Sequence, residues 1–285
     1  MDQKIIKLYD EFTHSSTMDR KGFLSRLAKL TGGMAVAMTV LPLLENNYAN
    51  ASTINNPDIE TKDVTFAVKN GEMKGFLAQP KSKKNLGAVL VIHENRGLNP
   101  HIKAIATRVA NAGYIALAAD ALSPFGGTPI NEDEARPLFG KLDATQNLQN
   151  FVDSLSYLRT LPNANGKTAC VGFCWGGGMA NDLAVNDAKL NAAVAYYGRQ
   201  PEAEDVAKIK AQMLLHYGGL DERINAGIPG YKTALESNHI KHEIFVYDGV
   251  NHAFNNDTSP TRYNAEAAKL AWERTLNLFA KTIKS

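Results

Sequence analysis

The residue most suited to chemistry is Cys174, in Gly172-Phe173-Cys174-Trp175-Gly176-Gly177-Gly178. The string joins an apolar run that reads as a strand to a stretch with helical spacing. That is the context of a nucleophile elbow, in which the central residue sits on a tight, strained turn and its side chain stands above the sheet. Glycines on both sides allow the close backbone approach such a turn demands. A cysteine there is intrinsically nucleophilic and gains from a helix N-terminus. The next N–H, from Trp175, would face a developing oxyanion. A cysteine beside glycines can also be purely structural, and Cys170 serves as that control. It lies inside the same strand, where burial is expected. Four residues at ~3.3 Å each place it too far from Cys174 for a disulfide.

A cysteine nucleophile needs a base, and the base needs an orienting acid. His216 lies inside the apolar run Met213–Tyr217 and reads as a core histidine. His239 and His242 sit in a polar stretch. His252, in Gly249-Val250-Asn251-His252-Ala253-Phe254, follows the last strand at its carboxyl end, where active-site residues gather in α/β sheets. It is the preferred base. Asp221, after Gly218-Gly219-Leu220, is the preferred acid. Glu222 could substitute, and Asp248 reads better as a turn residue.

The elements that must position these groups alternate. Val64–Val68 and Gly75–Ala78 form a hairpin around Asn70-Gly71. The β-branched run Ala88–Ile92 reads as a strand buried on both faces. Further strands are expected at 114–118, 169–172, 192–197, 213–217 and 243–247. Helices are expected at 99–112, 148–161, 177–185, 228–237 and 264–282. Residues 120–145, rich in Pro and Gly, read as a long loop. The alternation predicts an α/β fold with a mostly parallel sheet of seven or eight strands and helices on both faces.

The whole chain has 285 residues, 31 Lys plus Arg against 29 Asp plus Glu, and two cysteines. That balance excludes a nucleic-acid binder of the basic type, a disulfide scaffold and a four-thiolate zinc site. The apolar window Gly32–Leu44 is too short for a membrane span, which needs ~20 residues. Upstream lies Arg20-Lys21-Gly22-Phe23-Leu24, and downstream the small-residue triplet Ala49-Asn50-Ala51. This order resembles a bacterial twin-arginine export signal with Lys in the second position. Such a signal would place the mature protein in the periplasm. Residues 3–12 read as a helix carrying acidic residues, which instead suits a retained arm on a cytoplasmic protein, packed on the body or on another subunit. The expected organisation is 1–51 extension or signal, 52–62 linker and 63–285 catalytic unit.

Taken together, Gly-Phe-Cys-Trp-Gly-Gly-Gly, Gly218-Gly219-Leu220-Asp221, Asn251-His252-Ala253-Phe254 and Val91-Ile92-His93-Glu94-Asn95-Arg96-Gly97 resemble the dienelactone hydrolase family, also called carboxymethylenebutenolidase-like proteins. The resemblance covers roughly Asp63–Ser285. It implies an α/β-hydrolase fold, a Cys174-His252-Asp221 triad, and Glu94 as a carboxylate that meets the resting thiol. It also implies Asn95 as the second oxyanion N–H. Relatives that cleave dienelactone hold the substrate carboxylate with arginines, one of them four residues after the histidine. That position is Asn256 here. Arg96 and Arg199 could supply positive charge instead, with Tyr197 and Phe254 beside the substrate. The implied activity is hydrolysis of a lactone or small carboxylic ester through an acyl-thioester, with neither metal nor cofactor. The alternative is a non-catalytic ligand- or partner-binding protein on the same fold. Oligomeric state is left open by the sequence.

Overall fold

The computed structural model describes residues 1–14, 17–47 and 56–284. Eight strands form one sheet in the order β1-β2-β4-β3-β5-β6-β7-β8. They are β1 (Ile59–Val68), β2 (Gly71–Pro80), β3 (Leu86–Ile92), β4 (Ile115–Ala119), β5 (Ala164–Phe173), β6 (Ala192–Tyr196), β7 (Gln212–Gly218) and β8 (His242–Tyr247). β1 pairs with β2, and β2 with β4, antiparallel. Every other pairing is parallel. This is the sheet expected of an α/β-hydrolase.

The central strands are buried on both faces because their side chains alternate between two cores. Ala88, Leu90 and Ile92 of β3 enter one core. Val89 and Val91 enter the other. The first core is closed by α6 (Ala144–Thr160), α7 (Trp175–Asn186) and α9 (Ile228–Ser237), through Phe151, Leu155, Leu183 and Leu235. The second is closed by α4 (Pro100–Asn111) and α10 (Ala265–Thr282), through Ile102, Ile105, Leu278 and Phe279. β4 lies on one side of β3 and β5 on the other, so the chain reverses its direction of sheet growth there. Loops leaving β3 and β5 diverge at such a point and leave a crevice.

Several expectations are corrected. Residues 59–62, placed in the linker, belong to β1 and pair with Leu77–Pro80. After Ile59 they are polar and exposed, so an edge strand hides its period there. The region 120–145 contains a 3₁₀ turn (Ser123–Phe125) and α5 (Glu132–Phe139), and α6 starts at Ala144, capped by Asp143. Short α8 (Glu222–Asn225) had no periodic signal.

Ahead of the sheet lie α1 (Gln3–His14), α2 (Arg20–Thr31) and α3 (Met34–Leu44). They share a separate core that includes Tyr9, Phe12, Phe23, Leu27 and Leu44. The Arg20-Lys21 string is the first turn of α2, where the Asp19 side chain accepts from the Gly22 N–H. Gly32, in the left-handed region at φ 83°, ends α2. α3 turns off at 111° to α2. Among the described residues no single helix is long and apolar enough to cross a membrane. The Ala49-Asn50-Ala51 triplet and residues 52–55 lie outside the described residues.

Candidate active site

Cys174 sits between β5 and α7 with φ 55° and ψ −114°. A non-glycine residue held in that region costs about 1–3 kcal/mol, which the surrounding packing must offset. The packing is tight enough. A Cβ on Gly172 would lie 1.8 Å from the Gly176 carbonyl oxygen, and one on Gly176 would lie 2.5 Å from those of Ile92 and His93. No side chain fits at either position, so α7 seats directly on the end of β3. The Cys174 N–H donates to the Tyr196 carbonyl, 3.0 Å away. The N–H of Trp175 opens the first turn of α7, where helix donors have no partner inside the helix.

His252 and Asp221 meet as the spacing predicted. His252 Nδ1 lies 2.5 Å from Asp221 Oδ2, and both side chains are buried. The other Asp221 oxygen caps α8 by accepting from the Ile224 N–H. With Nδ1 donating to a carboxylate, Nε2 is left as the bare nitrogen. It is buried with no hydrogen-bond partner among the described residues. The Tyr197 ring packs 4.8 Å from the His252 ring.

The thiol's hydrogen bond comes from elsewhere. His14 Nε2, at the end of α1, lies 3.0 Å from Cys174 Sγ. The histidine's other nitrogen faces Asp10, at 2.8 Å from its carbonyl oxygen and 3.3 Å from its carboxylate. One nitrogen or sulfur from each of His14, Cys174 and His252 lies within 4.8 Å of the others. That composition also suits a metal. Two ligands of one tetrahedral zinc would however stand about 3.5 Å apart. The 3.0 Å contact between His14 and Cys174 is that of a hydrogen bond.

Glu94 follows β3 and is buried. Its Oε2 accepts from Asn256 Nδ2 at 2.8 Å, while Oε1 has no partner among the described residues. Asn256 thus holds this carboxylate. Asn95 is half-buried, and its side-chain Nδ2 donates to the Thr13 carbonyl at 2.7 Å. Arg96 is buried and lines, with Glu94, Cys174 and Arg262, a small space of about 20 Å³.

A much larger cavity of about 1240 Å³ is lined by Cys174, Trp175, Tyr197, Arg199, His252 and His14 among others. Arg199 stands at its rim, largely exposed, paired with Asp182. Phe254 does not reach the wall. It is fully buried behind Tyr197, with ring centroids 5.4 Å apart.

The histidines set aside fall where expected. His216 is fully buried and bonds the Tyr247 hydroxyl, and burial pushes its pKa down to about 3. His239 is exposed and His242 half-buried. Burial pushes the Cys170 thiol up, far from any ionised state at neutral pH. Sequence reasoning misses Asp10 and His14, because nothing in the spacing of α1 points to Cys174, and it gives Asn256 no contact with Glu94.

A family model described as "Dienelactone hydrolase family" matches residues 73–283. A protein of Saccharolobus solfataricus named as a carboxymethylenebutenolidase is 30% identical over 260 residues, covering 78% of this chain and 99% of the relative. A hydrolase fragment of Escherichia coli is 46% identical over 114 residues, 38% of this chain and 97% of the fragment. The crystal structure of a Klebsiella pneumoniae protein described as a dienelactone hydrolase superposes with a TM-score of 0.70 at 28% identity, covering 78% of this chain and 99% of that one. With most of the sheet and the whole Cys174–His252 region inside the match, the chain belongs to the dienelactone hydrolase family, a family of α/β-hydrolase enzymes.

Proposed function

We propose that this enzyme cleaves a lactone or small carboxylic ester with Cys174 as nucleophile, through an acyl-thioester that water resolves with help from His252. The observation that carries the reading is the Asp221–His252 pair at 2.5 Å, in one site with a cysteine on a strained elbow. Asp221 fixes the tautomer that leaves His252 Nε2 able to take a proton from water. As the carbonyl becomes tetrahedral, its oxygen gains charge, and the N–H groups of Trp175 and Asn95 supply donors for it. Glu94 lines the same small space as Cys174 and adds a carboxylate there that can accept a proton. Tyr197, Arg96 and Arg199 bound the substrate space, with Arg199 favouring anionic substrates at the cavity rim. The substrate is a small molecule.

The test is a panel of lactones and esters assayed before and after iodoacetamide, beside Cys174→Ala and Cys170→Ala. Loss of the nucleophile should cost several orders of magnitude, while the Cys170 variant keeps turnover. Equal activity in the two variants would remove Cys174 from the mechanism.

A further inference from the structure

α1 lies outside the residues that the family model matches, yet its last residue makes the hydrogen bond to the thiol. We propose that His14 is a catalytic residue, the base that takes the Cys174 thiol proton, with Asp10 as its orienting partner. The inference rests on reading Cys174 as the nucleophile.

The tautomer argument comes first. His14 Nδ1 faces the Asp10 carbonyl oxygen at 2.8 Å and the Asp10 carboxylate at 3.3 Å. Both can only accept, so Nδ1 carries the proton. Nε2 therefore presents its lone pair to the thiol, 3.0 Å away. The neighbouring Thr13 hydroxyl donates its own proton to the Asp10 carbonyl and does not upset this. Asp10–His14 thus repeats, from the other end of the chain, the logic of Asp221–His252.

The placement is built rather than incidental. The Thr13 carbonyl accepts from Asn95 Nδ2 at 2.7 Å, and the Phe12 carbonyl from Arg136 Nη1 at 2.7 Å. The Arg136 guanidinium also lies 4.1 Å from the Phe12 ring centroid. Asn95 and Arg136 belong to loops and helices of the sheet domain, so the body itself holds the end of α1. α1 is a wall of the site and not a plug, because Cys174 and His252 still line the 1240 Å³ cavity beside it.

Among the described residues, His14 faces Asp10 on its own helix, Cys174 at the head of α7 and His252 on the loop after β8, and it shares a small space with Glu94, Arg96 and Arg262. Burial disfavours the imidazolium, and so does His252. The thiolate and the Asp10 hydrogen bond outweigh both and raise the His14 pKa to about 9.

The steps balance. The S–H bond breaks and a proton joins His14 Nε2. The thiolate pair attacks the carbonyl carbon, and the C=O π pair moves onto oxygen. On collapse the bond to the leaving oxygen breaks, and that oxygen takes the proton from His14. Water then gives a proton to His252 Nε2 and adds to the thioester. The C–S bond breaks, and the thiolate recovers that proton. Each histidine serves one half-reaction.

The experiment uses the full chain. Wild type, His14→Gln and Cys174→Ala are compared by single-turnover acylation with p-nitrophenyl acetate and by iodoacetamide alkylation across pH, with melting curves alongside. His14→Gln should lower acylation about 10²- to 10⁴-fold. Its alkylation profile should move up toward the ordinary thiol range near ~8.5. Wild-type acylation with an unmoved profile overturns the proposal. So does faster acylation, which would make α1 an inhibitory cover. Turnover surviving in Cys174→Ala would instead remove the nucleophile reading beneath it. Should His14→Gln fail to fold, Asp10→Asn keeps α1 and must move the alkylation profile the same way. An unmoved profile in that variant overturns the proposal too.

Discussion

The rings of His14 and His252 meet edge to face, with centroids 4.8 Å apart and planes at 80°. One ends the first helix, and the other follows the last strand. At that distance each protonated ring disfavours protonation of the other. His252 indeed opposes the imidazolium of His14. That opposition suits a reaction whose halves need different bases.

Removing the Asp221–His252 pair should stall the second half. In Asp221→Asn the histidine loses the acceptor that fixes its tautomer, and turnover should fall by about 10³–10⁴. Product should appear as a burst followed by a slow phase, and the intact mass should show an acyl group on Cys174. Turnover that falls without any acyl-enzyme would place His252 in the first half instead.

Glu94 is buried with Oε2 held by Asn256. Glu94→Gln keeps an oxygen for that bond and removes the charge. We expect slower acylation with the fold intact. A melting-temperature loss equivalent to about 3–5 kcal/mol with normal acylation would mark the carboxylate as one half of a buried pair.

Arg199 tests substrate charge. Its side chain is 61% exposed and shared with Asp182. Solvent screening weakens such contacts, so Arg199→Ala should cost anionic esters about tenfold in kcat/KM, the low end for a charge-assisted bond. Neutral esters should be unaffected. Equal losses for both classes would make the Arg199–Asp182 pair structural.

His216 should govern part of the acid stability. Its folded pKa, about 3, lies below the unfolded value near 6.5. The neutral ring is the folded form, so its contribution is complete above pH ~6.5 and is lost as pH falls toward 3. The difference amounts to about 5 kcal/mol. In His216→Leu the Tyr247 hydroxyl keeps its bond from Arg274, and the acid limb of a denaturation series should flatten. An unchanged limb would point to other groups.

Most of the sheet was legible because its strands are short apolar runs separated by helical periods. Leu90 and Val91 need burial on both faces whatever surrounds them. The elbow was legible because Gly172 and Gly176 leave room for no other geometry. Residues 59–62 and α5 were not. The first is a polar edge strand stabilised by pairing with β2, and the second is a short helix with Pro137 inside it.

The sequence by itself determined the fold class, the turn that carries Cys174 and the Asp221–His252 pair, because all three depend on where strands of one parallel sheet end. Tertiary structure alone decided that His14 bonds the thiol, that Asn256 holds Glu94, and that Phe254 stays behind Tyr197. α1 has an amphipathic pattern that asks for burial but names no partner. Its seat is chosen by Asn95 and Arg136 reaching backbone carbonyls of Phe12 and Thr13, contacts that exist only once the sheet is assembled.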